Sequence, residues 1–129
     1  MLRLGHKKAA LSIVNDQIGS PTYAHHLAQA LFFILQKIAE NPAHDYGGIY
    51  HYTNEGTTNW AAFAEMIHQK ANITGCKIAP IPSANYPTPA ARPLYSVLDK
   101  TKIKMVFGLK IADWEAGLAD FERDREQRL

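Results

Sequence analysis

The sequence predicts an α/β protein, on three observations. A short apolar run, Leu11-Ser-Ile-Val14, passes through Asn15-Asp16-Gln17 and a Gly19-Ser20-Pro21 turn into a helical pattern. A second run, Ile49–Thr53, again leads into a helical pattern, and a third extended stretch, Lys77–Pro82, follows that. The order strand-helix-strand-helix-strand is that of α/β folds. In such folds ligands bind beyond the carboxyl ends of the strands, which is where residues 15–17 stand.

Each element has its own warrant. Met1-Leu-Arg-Leu-Gly5 has the composition of a helix's last turn closed by glycine, although so short a nucleus is not stable alone and a frayed terminus is the competing reading. Ser20 or Thr22 is expected to cap the helix over about 22–40, with Pro21 in its first turn. Leu27, Leu31, Ile34, Leu35 and Ile38 fall on one face of it, and Phe32 and Phe33 widen that face, which calls for neighbours on two sides. His25 and His26 are adjacent, so they diverge by about 100° and cannot chelate one metal as an i,i+4 pair would. They are expected to be exposed or cap-proximal. Asn41-Pro42 stops the helix.

Gly47-Gly48 turns into a strand at 49–53, which Asn54-Glu55-Gly56 closes. Thr57 or Thr58 is expected to cap a helix over about 59–71, with Trp60, Phe63, Ala64, Ile67 and Ala71 on its core face. His68 beside that face is expected to play a satisfied structural role. Asn72–Gly75 turn the chain into Lys77–Pro82, whose prolines confine it to a sheet edge. Prolines at 82, 87, 89 and 93 stiffen the next loop, which carries Tyr86, Thr88, Arg92, Tyr95 and Ser96. A stiff loop so equipped suits binding, and Arg92 could grip a phosphate or carboxylate in bidentate fashion. The competing reading is a surface linker with a solvated arginine. Asp99 is expected to cap a helix over about 100–107, stopped by Gly108. Asp113 is expected to cap the last helix, with Trp114, Leu118 and Phe121 on one face. Residues 122–129 form a mixed-charge tail.

Composition excludes several classes. With 129 residues and 47% hydrophobic content the chain fits one domain with a real core. A net charge of +2, with no basic strip, does not suggest nucleic acid. The single cysteine, Cys76, cannot form an internal disulfide. No apolar run approaches the roughly 18 residues of a membrane span, and residues 1–8 lack the apolar segment of a secretory signal, so cytoplasmic is the expectation. No G-x-G-x-x-G, P-loop, G-x-S-x-G or zinc spacing occurs. None of Tyr23, Tyr46, Tyr50, Tyr52, Tyr86 and Tyr95 is followed four residues on by lysine. Asp16 is the nearest thing to an acid-base group, and one carboxylate at a turn more often stabilises the turn.

Three segments, taken together, resemble one family. They are Val14-Asn-Asp-Gln-Ile-Gly-Ser-Pro-Thr-Tyr23; Gly48-Ile-Tyr-His51 with Thr58-Asn-Trp60 and Phe63-Ala64; and Pro80-Ile-Pro82, Tyr86-Pro-Thr-Pro89, Arg92-Pro93 and Ser96-Val-Leu-Asp99. Phe107-Gly108, Asp113-Trp-Glu115 and Leu118 agree as well. Their order and spacing are similar to the C-terminal part of the dTDP-4-dehydrorhamnose reductases, which are extended short-chain dehydrogenase/reductases.

The resemblance implies the C-terminal portion of a Rossmann-type NAD(P)-binding fold, without its glycine-rich half and without Tyr-x-x-x-Lys. Residues 1–10 would then be the remnant of an internal helix, 11–121 an α/β core, and the whole one substrate-binding domain. The family reduces the 4-keto group of dTDP-4-dehydro-L-rhamnose with NADPH or NADH, and some members use magnesium at a dimer interface. Carried over, Arg92 would neutralise the dTDP pyrophosphate. Gln17, the Ile18–Thr22 turn and Ser96 would border the nucleotide-sugar. No catalytic or cofactor-binding residue is carried over. The expected partner is a dTDP-sugar, with no nucleic acid and no membrane, and self-association would cover apolar faces left open. The alternative is a non-enzymatic, oligomeric interaction module built on the same fold.

Overall fold

A computed structural model describes residues 1–127, so Arg128 and Leu129 of the expected charged tail lie outside the described residues. In chain order the elements are α1 (Leu2–Gly5), β1 (Ala10–Val14), β2 (Ile18–Gly19), α2 (Ala24–Glu40), β3 (Thr58–Asn59), α3 (Trp60–Lys70), β4 (Lys77–Ile81), a 3-10 turn (Ser83–Asn85), α4 (Thr101–Phe107) and α5 (Trp114–Glu126). The chain divides into two units, one of residues 1–19 and 57–97, the other of 20–56 and 98–127.

In the first unit β1 and β4 pair in parallel, with Leu11 opposite Ile78 and Val14 opposite Ile81. Leu11 and Ile13 are buried on one face of β1 with Ser12 exposed on the other, and at the strand's end Val14 is buried on that second face. Leu11 and Ile13 pack with Ala61 and Ala64 of α3 and with Ile73 and Cys76, each larger apolar side chain contributing about 2 kcal/mol by its burial. β2 pairs antiparallel with β3. The cap of α3 is Asn59, not Thr57 or Thr58: its Oδ1 accepts the Ala62 N–H at 2.9 Å. Thr58 stands one position before the cap, because α3 starts at Trp60. Trp60 is not core, being 53% exposed, because the helix meets the sheet through the small side chains Ala61 and Ala64.

His68 is buried, yet neither ring nitrogen has a hydrogen-bond partner among the described residues, so the expectation of a satisfied role fails. The ring lies against α1. A Cβ on Gly5 would stand 2.6 Å from His68 Nε2, which is why residue 5 has none. Residues 2–5 do form a helical turn, but His6 after them is right-handed (φ −79°), so Gly5 serves close packing and not a left-handed cap.

In the second unit Ala30 of α2, Ile103 and Phe107 of α4, and Leu109 form the core, flanked by Phe33, Ile34, Tyr46, Tyr50 and Tyr52. Tyr46 stacks on Phe107 with ring centres 5.2 Å apart. The inward face of α2 is therefore Ala30-Phe33-Ile34. Of the five residues expected to share a buried stripe, Leu27, Leu31, Leu35 and Ile38 are exposed and only Ile34 is not. Ser20 and Thr22 do not cap α2. The cap position is Tyr23, without a side-chain bond; Ser20 Oγ donates to Gly56 O at 2.7 Å, and Thr22 Oγ1 to Ser20 O at 3.4 Å.

The strand expected at 49–53 is absent. The segment keeps a strand's alternation, with Ile49 and His51 outward and Tyr50 and Tyr52 against the core, but it finds no ladder partner among the described residues. Asp99 Oδ1 accepts the Thr101 N–H at 2.8 Å, although the cap position itself falls on Lys100. Gly108 ends α4 in the left-handed region (φ 66°), as expected. Asp113 caps α5, accepting the Ala116 N–H at 2.8 Å. Trp114 and Leu118 are buried, whereas Phe121 stays exposed with its ring edge-on to Tyr23.

Candidate functional site

The carboxyl end of β1 carries the first part of the site. Both Asp16 carboxylate oxygens accept from Ser83: from its N–H at 2.9 and 3.0 Å, and from its hydroxyl at 2.8 Å. The Ser83 backbone N–H, and after it the hydroxyl, hold the Asp16 carboxyl below the usual carboxylate range. Asp16 therefore pins the start of the 82–96 loop to β1 and is a structural anchor.

The other end of that loop is pinned by Ile18. Its N–H donates to Leu94 O at 2.8 Å, and its carbonyl accepts the Ser96 N–H at 2.9 Å. Ser96 Oγ donates to the same carbonyl at 3.2 Å. The crossing is close: a Cβ on Gly19 would lie 3.1 Å from Ser96 Oγ. Residues 85–93 thus hang between two fixed points, further stiffened by three prolines and by the Thr88 hydroxyl donating to Ala90 O at 2.8 Å.

Of the residues singled out in the sequence, Gln17 is half-buried one position before Ile18, and Ser96 sits beside Ile18 through the bonds just given. Arg92 is exposed on the suspended part of the loop, with no ion pair among the described residues. Tyr86, Leu94 and Tyr95 are exposed in the same loop. A guanidinium without an ion pair among the described residues, on a loop that also exposes Tyr86 and Tyr95, is able to bind an anion. Thr22 belongs to the second unit, on the exposed turn before α2.

Sequence reasoning missed a polar cluster in the second unit. Asn54 is 0% exposed. Its Oδ1 accepts the Tyr23 N–H at 3.0 Å, and its Nδ2 donates to Ala112 O and His26 Nδ1, both at 2.9 Å. His26 Nε2 meets Asp120 Oδ2 at 2.9 Å, and this contact is the main reason that carboxyl is held below its usual range. His26 is thus not a free surface histidine, while His25 is exposed. Nearby, buried Lys100 reaches Asn54 O and Glu55 Oε2, each at 3.3 Å. Nothing local marked Asn54, since Asn-Glu-Gly reads simply as a turn.

No group of three or more His, Cys, Asp or Glu among the described residues is gathered to hold a metal ion. The residues present do not fit a nicotinamide cofactor either. Among the described residues, the connection from β1 to α2 presents the Asp16 carboxylate, which repels a pyrophosphate, and it lacks the glycine-rich cradle.

A parallel strand pair whose carboxyl end holds a pinned, proline-stiffened loop is an α/β arrangement. The chain belongs to the RmlD substrate binding domain family, whose model matches residues 1–126. It is 41% identical to a dTDP-4-dehydrorhamnose reductase of Aggregatibacter actinomycetemcomitans, over 92% of this chain and 42% of that one. The spore coat polysaccharide biosynthesis protein SpsK of Bacillus subtilis is 34% identical over 97% of this chain and 41% of its own length. In structure, the chain is similar to the Bacillus anthracis dTDP-4-dehydrorhamnose reductase solved in complex with NADP, with TM-score 0.81 and 32% identity, covering 95% of this chain and 41% of that one. The chain thus spans about two fifths of the length of these relatives. No helix among the described residues is long and apolar enough to cross a membrane.

Proposed function

We propose that this chain supplies the nucleotide-sugar-binding part of a dTDP-4-dehydrorhamnose reductase. The carrying observation is the loop pinned by the Asp16–Ser83 and Ile18–Ser96 anchors, which exposes Arg92, without an ion pair among the described residues, together with Tyr86 and Tyr95. On this reading the chain acts as one substrate-binding domain. Arg92 neutralises the pyrophosphate, and Gln17 and Ser96 border the ligand beside Ile18; Thr22, on the turn before α2 in the second unit, is proposed by itself as a ligand-bordering residue. Reduction of the 4-keto sugar needs NADPH or NADH held by residues this chain does not carry, so the chain alone is inactive. The chemistry is that of dTDP-rhamnose synthesis, and a cytoplasmic location belongs to the same reading.

Calorimetry with dTDP tests it. Weak binding is expected, reduced about tenfold or more by Arg92→Ala, the worth of one charge-assisted hydrogen bond. No heat at millimolar dTDP would overturn the reading.

A second reading, a non-enzymatic module that associates with itself, is favoured by the apolar side chains that α2 exposes: Leu27, Leu31, Phe32 and Leu35.

A further inference from the structure

We propose that Asn54 and His26 are positioning residues that fix the turn carrying Thr22, and that this hold is released when His26 takes up a second proton. The proposal rests on the reading of Thr22 as a ligand-bordering residue; the anchor itself rests on hydrogen-bond logic alone.

Asn54 is locked in one orientation. The Tyr23 N–H needs an acceptor, so the atom facing it at 3.0 Å is Oδ1. Nδ2 then faces Ala112 O at 2.9 Å, an acceptor, as it must. Turning the amide over would set donor against donor at Tyr23 and acceptor against acceptor at Ala112. With Nδ2 committed as a donor, His26 Nδ1, 2.9 Å away, must accept, so the proton sits on Nε2 and is given to Asp120. One tautomer of one histidine therefore completes the setting of a fully buried amide, and that amide holds the backbone N–H next to Thr22. Ser20 Oγ, bonded to Gly56 O, ties the other end of the same turn.

A second proton on His26 would lie on Nδ1, facing the Asn54 NH2 group. The bond becomes a donor–donor contact that Asn54 cannot relieve by turning over. The other groups around the ring decide which side yields. From α5, Asp120 attracts the imidazolium and the Asp124 carboxylate, which accepts from Tyr23 Oη at 2.6 Å, adds to that attraction, while Arg123, paired with Asp120 at 2.7 Å, moderates it. From the cap of α2 comes the Tyr23 ring, 5.2 Å from the His26 ring, and from α2 itself His25, whose ring lies 5.9 Å from that of Tyr23. Lys110 lines the open groove of about 520 Å³ beside His26. The ring is thus retained by α5 and released by Asn54, and the disturbance passes to the Tyr23 N–H.

The experiment is a nitrogen-detected NMR titration of the chain from about pH 8 to about pH 5, the range in which imidazoles titrate. The Nε2–H tautomer of His26 is expected at the upper end. As His26 protonates, the Tyr23 amide should exchange about tenfold faster once corrected for intrinsic rates, the worth of one hydrogen bond. In His26→Asn, whose Oδ1 accepts from Asn54 and cannot be protonated, that acceleration should vanish. An Nδ1–H tautomer, or a Tyr23 amide indifferent to His26 protonation in the unaltered chain, overturns the proposal without need of the variant. So does the same acceleration persisting in His26→Asn. Weakening of dTDP affinity with the His26 midpoint would tie the anchor to the ligand. Absence of dTDP binding at every pH counts against the function proposed above, while the tautomer and amide readouts still decide the anchor.

Discussion

Asp16 shows how one side chain's role is decided by its partner. In the sequence it is a lone carboxylate at the end of a strand, open to acid-base work or to turn stabilisation. In the structure Ser83 takes both its oxygens, and its pKa falls below the ordinary value, chiefly through the Ser83 backbone N–H. A carboxylate with a depressed folded-state pKa contributes stability that is fully present above the unfolded value, about 3.9, and lost as pH falls through the folded value. Asp16→Asn should therefore unfold at a lower temperature than the unaltered chain near neutrality. The gap between their thermal midpoints should close as the pH drops below about 4. A gap independent of pH would mean that the Ser83 bonds do not depend on the charge.

At the scale of elements, polar caps were the most legible feature where the side chain had no competing employment. Asp113 before α5 is such a case, and Asp113→Ala should cost about 1 kcal/mol in chemical denaturation, with Asp113→Ser recovering most of it. Ser20 was an equally good cap by composition, but its hydroxyl is taken up by Gly56 O, and Thr58 stands one position before the cap because α3 starts at Trp60. Helix faces were less legible. In α2, apolar residues cover so much of the circumference that periodicity alone cannot choose which arc faces inward. The arc that meets Tyr50, Tyr52 and Phe107 is the one bearing Ala30, because a small side chain lets those rings approach. The segment 49–53 has a strand's alternation, yet a strand exists only through ladder bonds, and none is made among the described residues.

At the scale of the molecule, the chain's relation to relatives more than twice its length governs what its surface should do. Leu31 and Phe32 are 53% and 64% exposed. If the exposed arc of α2 drives self-association, light scattering should show oligomers that grow with concentration. The double change Leu31→Glu with Phe32→Glu should return a monomer, at a cost in stability of no more than about 1 kcal/mol for such exposed positions. A monomer at high concentration in the unaltered chain would sink the second reading.

The sequence by itself determined the α/β class, the extended stretch that becomes β4, the Gly108 stop, the Asp113 cap and the family, because each depends on local chemistry or on a run of residues read in order. It also marked Arg92, Gln17, Thr22 and Ser96 as candidates for a binding surface. Only the tertiary structure decided that Asp16 is an anchor, that Ile18 pins the far end of the Arg92 loop, and that Asn54 and His26 form a buried pair. Those roles are set by partners 28 to 78 positions away in the chain, and hydrogen-bond satisfaction between such distant groups leaves no local pattern to read.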